Sequence, residues 1–515
     1  MKLTHYLSIL SLTILINVNA FSQDRKKALE FFEAGNFESA LDIYLELIVS
    51  DTDNIEYNYN IAVSYLNTNI DKSKAISYLE KLVLNPKIIP DSHYLLGRAY
   101  HYGYKFNEAI ASFQKFQQIG KGNENNLSDV AKQIEYCENA KELMKFPKNV
   151  TFLNLGTTIN SKYADYYPFI PTNEGFVIFN SNRPLSQSEV LPNGAYPPNI
   201  FVSYEKNGQF QKSQPLPGTI NTNAGSQEVV GLNASGNIAI FYFEDFNQYG
   251  DIYISGLEAN VIKTPVLLST EINSKYHEIA ACVSEDSERL FFASDRPGGY
   301  GGVDIYLCQK LPNGNWSTPQ NLGPTINTAF DEDFPNISPD GKTLYFSSKG
   351  HASMGGYDIF KATWDETKRK FTGVQNLGYP INTPEDNMNF RISDNGKFGY
   401  VSALRQGGYG DLDIYRVNFN EIDPKYTVIS GVINPGDGKK FEDVFIQITD
   451  KDTYEIFGDY IPNQLTNRFV IILPAGKYNM FVGAIGYVEQ YHEIEILDKT
   501  SFKAFVDMDI TMKPE

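Results

Sequence analysis

Five copies of one motif, set about fifty residues apart, constrain what this chain can fold into more than any other feature. The clearest copy reads NLGPTINT at 321–328, DEDFPNISPDGKTLYFSS at 331–348 and GGYDIF at 355–360. Its Ile-Asn pair recurs at Ile159-Asn160, Ile220-Asn221, Ile272-Asn273, Ile326-Asn327 and Ile381-Asn382. A strand opener recurs as Asn199-Ile200-Phe201, Asp251-Ile252-Tyr253, Asp304-Ile305-Tyr306, Asp358-Ile359-Phe360 and Asp413-Ile414-Tyr415, at successive spacings of 52, 53, 54 and 55 residues. Short alternating strands and Gly-rich turns repeated at this period are the pattern of a β-propeller blade. One blade cannot bury both faces, so the copies must stack radially.

The ends of the array predict how the ring closes. The last copy lacks an outermost strand, whereas NVTFLNLGTTIN at 149–160 matches TGVQNLGYPIN at 372–382. The upstream segment therefore completes the last blade, which removes exposed sheet edges. The expectation is a five-bladed propeller over 148–423; six blades are the alternative and would need a copy not found in the sequence.

Residues 1–22 read as an export signal, with Lys2, an apolar run from Leu7 to Ile16 and a cleavage site at Ala20-Phe21-Ser22. No lipobox cysteine follows it, and no later stretch approaches the roughly 18 apolar residues of a membrane span. A soluble periplasmic product is expected. Its formal charge of -18, about -19 without Lys2, disfavours nucleic acid and bare anionic membrane. Cys137, Cys282 and Cys308 cannot all pair. The blade reading separates Cys282 from Cys308 by two strand spacings, about 9.6 Å, beyond the roughly 7 Å reach of a disulfide. Three free, mostly buried thiols are expected.

Between 23 and 147 the hydrophobic period lengthens to three or four residues, which predicts helices. Leu96-Gly97-x-x-Tyr100 followed by Phe106-x-x-Ala109-x-x-x-Phe113 resembles a tetratricopeptide repeat. An earlier unit runs through Gly35, Phe37, Ala40 and Tyr44, and a middle one through Ala62, Tyr65, Ala75, Leu79 and Pro86. A stretch from Leu127 to Lys145 caps the solenoid. The resemblance places Tyr59, Tyr94, Arg98, His101 and Tyr102 on a concave groove suited to a peptide or helix; packing against the propeller or cap is the other use for them.

From 424 to 515 short alternating strands at 427–433, 444–450, 468–474, 478–487 and 505–512 predict a small β-sandwich. Tyr460-x-Pro462-Asn463, Thr466-Asn467-x-Phe469, Gly476-x-Tyr478 and Gly486-Tyr487 resemble the carboxypeptidase regulatory-like domain. Taken together, the tetratricopeptide repeats, TolB/WD-like propeller and sandwich resemble the PorE-type envelope proteins of Bacteroidota. That resemblance implies a periplasmic adaptor associated with type IX secretion or another outer-membrane assembly. The family's usual OmpA-like domain and lipid anchor are not found in this sequence, so tethering to the outer membrane through protein partners is expected.

Chemical motifs are weak. Gly350-His351-Ala352-Ser353-Met354-Gly355 lacks the first glycine of a nucleophile elbow, and His277-Glu278 lacks the second histidine of a zinc-protease helix, position 281 being alanine. No catalytic residues, metal ligands or cofactor are expected. Carboxylates that follow the Ile-Asn pairs, Asp165, Glu228, Glu278, Glu332 and Asp386, would form a ring at one channel mouth. Such a ring would hold Ca²⁺ or a partner's cation, or else accept hydrogen bonds from turns. Asp251, Asp304, Asp358 and Asp413 tie down the hairpins before their strands. The first copy has a long loop, 184–198, in which Leu185, Val190, Leu191 and Tyr196 could dock a partner. The reading that follows is a non-enzymatic scaffold for envelope proteins; the alternative is a glycan- or peptidoglycan-binding module.

Overall fold

The computed structural model describes residues 23–85, 89–186, 188–218, 220–222, 225–245, 248–258, 261–393, 396–405, 407–420, 426–497, 503 and 505–515. The proposed signal, 1–22, and Pro86 lie outside them. Among the described residues the chain is mostly β, with its α-helices in the N-terminal region. One compact unit ends at Phe419 and a second spans Asn420–Glu515.

Among the described residues seven α-helices open the first unit: α1 (23–33), α2 (Phe37–Leu47), α3 (Ile55–Leu66), α4 (Ala75–Val83), α5 (Ser92–Tyr102), α6 (Phe106–Ile119) and α7 (Glu124–Leu143). Asparagines start several of them. Asn36, Asn54 and Asn123 each accept a backbone N–H of the first turn, satisfying a donor that the helix itself cannot. Gly97 shows why a small residue is needed between paired helices: a Cβ there would lie 2.6 Å from the Phe113 ring. Ala40, Leu41, Tyr44, Ile61, Ala62, Ala75 and Leu79 form one helical core. A second contains Tyr94, Phe106, Ala109, Phe113, Phe116, Val130 and Cys137, and Met354 from the repeat region enters it.

Among the described residues five antiparallel sheets follow, four of them built from strands successive in the chain. The first begins with Asp165–Phe169, the second with Gly225–Leu232, the third with Glu278–Val283, the fourth with Glu332–Ile337 and the fifth with Arg391–Ile392. The fifth sheet continues through Phe398–Ala403 and Asp413–Phe419 and ends on Val150–Asn154, which pairs Val150 with Phe419 and Asn154 with Tyr415. The N-terminal segment thus supplies the strand missing from the last copy. The leading strands pack on one another from the first sheet to the fourth, Asn336 Nδ2 donates to Phe390 O in the fifth at 3.0 Å, and the fifth contacts the first. The second strands of the first and third sheets are buried on both faces, so successive side chains enter different cores: Ile178 and Phe292 lie in one, Phe179 in another and Phe291 in a third.

Cys282 and Cys308 lie on the first and third strands of the third sheet with Arg289–Ser294 between them, and all three cysteines are free and buried.

Among the described residues the second unit contains two sheets. Arg468–Leu473, Thr427–Pro435, Phe505–Asp507 and Ile510–Met512 make one; Ile456–Tyr460, Val444–Asp450, Gly476–Ala484 and Gln490–Ile496 make the other. Ile429, Ile446, Ile448, Phe469, Ile471, Met480 and Val482 fill the space between. Two strands, Ile456–Tyr460 and Gln490–Ile496, go beyond the sequence reading, because both are edge strands with little buried surface. The expected strand 505–512 is broken into two parallel pieces. Met508 O approaches Gly431 there so closely that a Cβ would meet it at 1.9 Å.

Candidate functional site

The repeated asparagine acts as a piece of backbone. Asn273 Oδ1 accepts from Ile252 N at 2.8 Å while its Nδ2 donates to Ile252 O at 2.9 Å. Asn221 does the same to Ile200, Asn327 to Ile305, Asn382 to Ile359 and Asn160 to Ile414. Each amide thereby caps the third strand of the preceding copy. Asp304, Asp358 and Asp413 accept from Tyr300 N, Met354 N and Tyr409 N, and each also accepts from an outer-strand asparagine, so these aspartates hold the hairpins as expected.

The expected ring of carboxylates is not a set of equivalent groups. Asp165, Glu278 and Glu332 share one register and are buried. Each accepts from the backbone N–H and hydroxyl of the residue four before it, and from a second-strand serine. In the second and fifth copies this place belongs to Gln227 and Asn387, which accept from Thr222 N and Thr383 N. Glu228 and Asp386 are therefore one residue off, in opposite directions. Asp386 is exposed and accepts from Tyr357 N at 2.8 Å; Glu228 lies 3.4 Å from Asn180 Nδ2. Burial pushes Glu228 up to about 7. Among the described residues, no group of three His, Cys, Asp or Glu side chains is placed to hold a metal ion.

Cations complete the turns unevenly. Arg183 binds Asp165 and Arg296 binds Glu278, and both also reach an isoleucine carbonyl, Ile159 O and Ile272 O. The fourth copy substitutes His351, which touches Ile326 O at 2.8 Å, and Glu332 has no arginine or lysine partner among the described residues; desolvation pushes Glu332 up to about 7. Ser353, in the same hairpin, is fully buried, and its hydroxyl lies 2.8 Å from Ser348 O and 2.7 Å from Gly350 O. That hydroxyl is spent on the turn.

The helical candidates are largely used inside the first unit, which corrects their assignment to an open groove. His101 is 3% exposed, and its Nε2 lies 2.7 Å from Met354 O. Burial lowers its pKa to about 4, so the neutral ring donates from Nε2. Tyr94 is buried and its hydroxyl donates to Asp129 Oδ2 at 2.6 Å. Arg98 Nη2 donates to the Tyr102 hydroxyl, whose ring carries Lys72 Nζ at 5.0 Å; Lys72 pairs with Glu385 of the repeat region. Tyr59 is half-buried. Tyr136 OH donates to Lys349 O, Asn139 Nδ2 to Ser353 O, and Lys132 Nζ lies 4.3 Å from the Phe330 ring centre. The fourth hairpin thus seats α5 and α7. Met354 stands there where Tyr300 and Tyr409 project at half exposure from the third and fifth hairpins.

Of the loop candidates only Val190 is well exposed, at 56%. Leu185 packs beside Ile159, Phe179 and Phe201, which removes it from the docking set. Leu191 is half-buried in a turn closed by Ala195 O, and Tyr196 stands edge-on to Tyr163 at 5.9 Å.

The sequence reading missed the outer faces of the C-terminal sandwich. Val470, Ile472 and Phe505 project from the face opposite the core, around Val428, which pairs with Ile472 on one side and Phe505 on the other. Strict alternation would put polar residues there. The signal was the unbroken apolar run FVIIL.

No known family profile matches the chain, and no curated protein does. Solved structures similar to it include TolB from Acinetobacter baumannii, at 16% identity and TM-score 0.33 over 51% of this chain; the match spans only 56% of that protein. A putative TolB from Agrobacterium tumefaciens is 14% identical, with TM-score 0.31, over 63% of this chain and 97% of its own. A glycosyl hydrolase from Bacteroides ovatus is 9% identical, with TM-score 0.32, over 50% of this chain and 84% of its own.

Proposed function

We propose that the chain is a non-enzymatic periplasmic scaffold that holds envelope proteins in an outer-membrane secretion or assembly complex, type IX secretion being the pathway implied by its resemblance to PorE-type proteins. In this reading α1 to α7 are a tetratricopeptide array and the five sheets are the blades of a propeller closed by Val150–Asn154. The observation that carries it is the apolar outer face formed by Val428, Val470, Ile472 and Phe505, with Phe505 73% exposed. Exposed contiguous apolar surface on a sheet marks a protein contact. Arg468–Leu473 is moreover an edge strand whose second side has no partner strand among the described residues, so both side chains and backbone are open to a docking chain. Two supporting features are the exposed Tyr300 and Tyr409 and the consumption of the Ser, Glu and His groups by turns.

The test is crosslinking in living cells followed by purification of the tagged full chain. Wild type is expected to recover outer-membrane complex components, and a Val470→Asp/Ile472→Asp double variant to lose them while remaining folded. Equal recovery by both, or a chain recovered alone, would overturn the reading.

A further inference from the structure

The other outer face of the sandwich has a different chemistry. Phe445, Phe481 and Tyr491 form a continuous aromatic row across three strands, with ring centres 5.4 and 5.0 Å apart. Their neighbours in register fix the side they occupy. Phe481 lies opposite Gln447 and Tyr491, and Asn479 opposite Thr449 and Glu493, whereas Ile446, Ile448, Met480 and Val482 alternate with them into the core. The row borders a shallow cavity of about 590 Å³ lined by Gln447, Thr449, Asn479, Phe481, Tyr491 and Glu493, among others. That volume falls within the roughly 300–1,000 Å³ of small-ligand sites.

We propose that this face is a binding platform for a neutral oligosaccharide. Aromatic rings left 41% and 71% exposed, at Phe445 and Tyr491, offer flat apolar surfaces that match the C–H face of a pyranose. The flanking groups are planar amides and carboxylates, which accept from or donate to pairs of neighbouring hydroxyls. Gln447 is held in orientation by its Nε2 bond to Asp459 Oδ1 at 2.9 Å, and the Asn479 side chain has no partner among the described residues. Charge selects the ligand class. The two lysines of this surface are already paired, Lys451 with Glu493 at 2.7 Å and Lys477 with Glu495 at 3.5 Å. Among the described residues no free lysine or arginine remains on the platform to attract an acidic polymer, and the remaining carboxylates repel one. Stacking and uncharged hydrogen bonds are left as the means of recognition, and a neutral sugar chain satisfies both. A protein partner suits the opposite face better, where Val428, Val470, Ile472 and Phe505 make an apolar patch beside an open strand edge.

The full chain is titrated calorimetrically with cellohexaose, xylohexaose, mannohexaose and chitohexaose. At least one is expected to bind, with an affinity that changes little between low and high salt. Tyr491→Ala is expected to weaken that binding at least tenfold at an unchanged unfolding temperature, since the ring is mostly in solvent. Asn479→Ala, which removes a hydrogen-bonding group and leaves the rings, is expected to weaken it severalfold. Absence of binding by all four sugars at millimolar concentration overturns the proposal, as does equal binding by wild type and Tyr491→Ala. Neither result bears on the apolar face, whose test is the recovery of protein partners.

Discussion

Replacing Asn327 by aspartate tests whether the repeated Ile-Asn pair works as a backbone mimic. Asn327 is 1% exposed; its Oδ1 accepts from Ile305 N at 2.8 Å, and its Nδ2 donates to Ile305 O at 2.9 Å and to Asn321 Oδ1 at 2.8 Å. Aspartate has nearly the same shape and keeps the acceptor. It converts the donor into a second acceptor that faces two oxygens. Ile305 O keeps Leu322 N as a donor and Asn321 Oδ1 keeps Gly323 N. The loss is therefore of two hydrogen bonds, about 0.5–1.5 kcal/mol each, together with acceptor facing acceptor and the burial of an added charge. Asn327→Asp should lose about 3–6 kcal/mol in all. Asn327→Ala, which also removes the acceptor for Ile305 N but adds neither charge nor repulsion, should lose about 2–5 kcal/mol. Against a typical total stability of about 5–15 kcal/mol, either loss is large. Urea unfolding of the full chain would give the free energies, and hydrogen exchange at the Ile305 amide would localise the damage. If Asn327→Asp stays within about 0.5 kcal/mol of wild type, well below the loss of two hydrogen bonds, the backbone-mimic account is wrong.

Glu332 gives a pH-dependent prediction. Its folded pKa, pushed up to about 7, lies above the ordinary value of 4.5, so its favourable contribution is complete below the unfolded pKa and is lost as pH rises through about 7. Glu332→Gln should flatten the fall in unfolding temperature between pH 5 and pH 8; an unchanged slope counts against the assignment. Burial pushes the Cys137 and Cys282 thiols up to about 12 and Cys308 up to about 11. A thiolate-specific reagent should therefore label none of them in the native chain and three after denaturation, and rapid native labelling would contradict their placement in the core.

Much of the repeat architecture could be read locally. Asn154 and Asn160 in the upstream segment stand to Asp413 and Ile414 as Asn376 and Asn382 stand to Asp358 and Ile359, with the same hydrogen bonds. A short segment carries this information because the amide must meet one strand at one register, so matching asparagines announce matching pairings. The carboxylates were less legible. The shared place falls five residues after Asn160, Asn273, Asn327 and Asn382 but six after Asn221, and in the second and fifth copies it holds an amide, Gln227 or Asn387, with the carboxylate of Glu228 or Asp386 beside it.

Sequence alone determined the helical N-terminal region, the spacing of the strands and the origin of the last outer strand, because hydrophobic period, turn residues and capping amides act over a few residues. Only the tertiary structure decided that His101 would be neutral and inaccessible. Its environment comes from Met354, 253 residues further along the chain, and no local pattern records that approach. The same holds for the aromatic row of the sandwich. Phe445, Phe481 and Tyr491 are ordinary residues in their separate strands, and pairing brings them to one face. Distant contacts, rather than residue type, set which polar groups were consumed by the fold and which aromatic rings stayed in solvent.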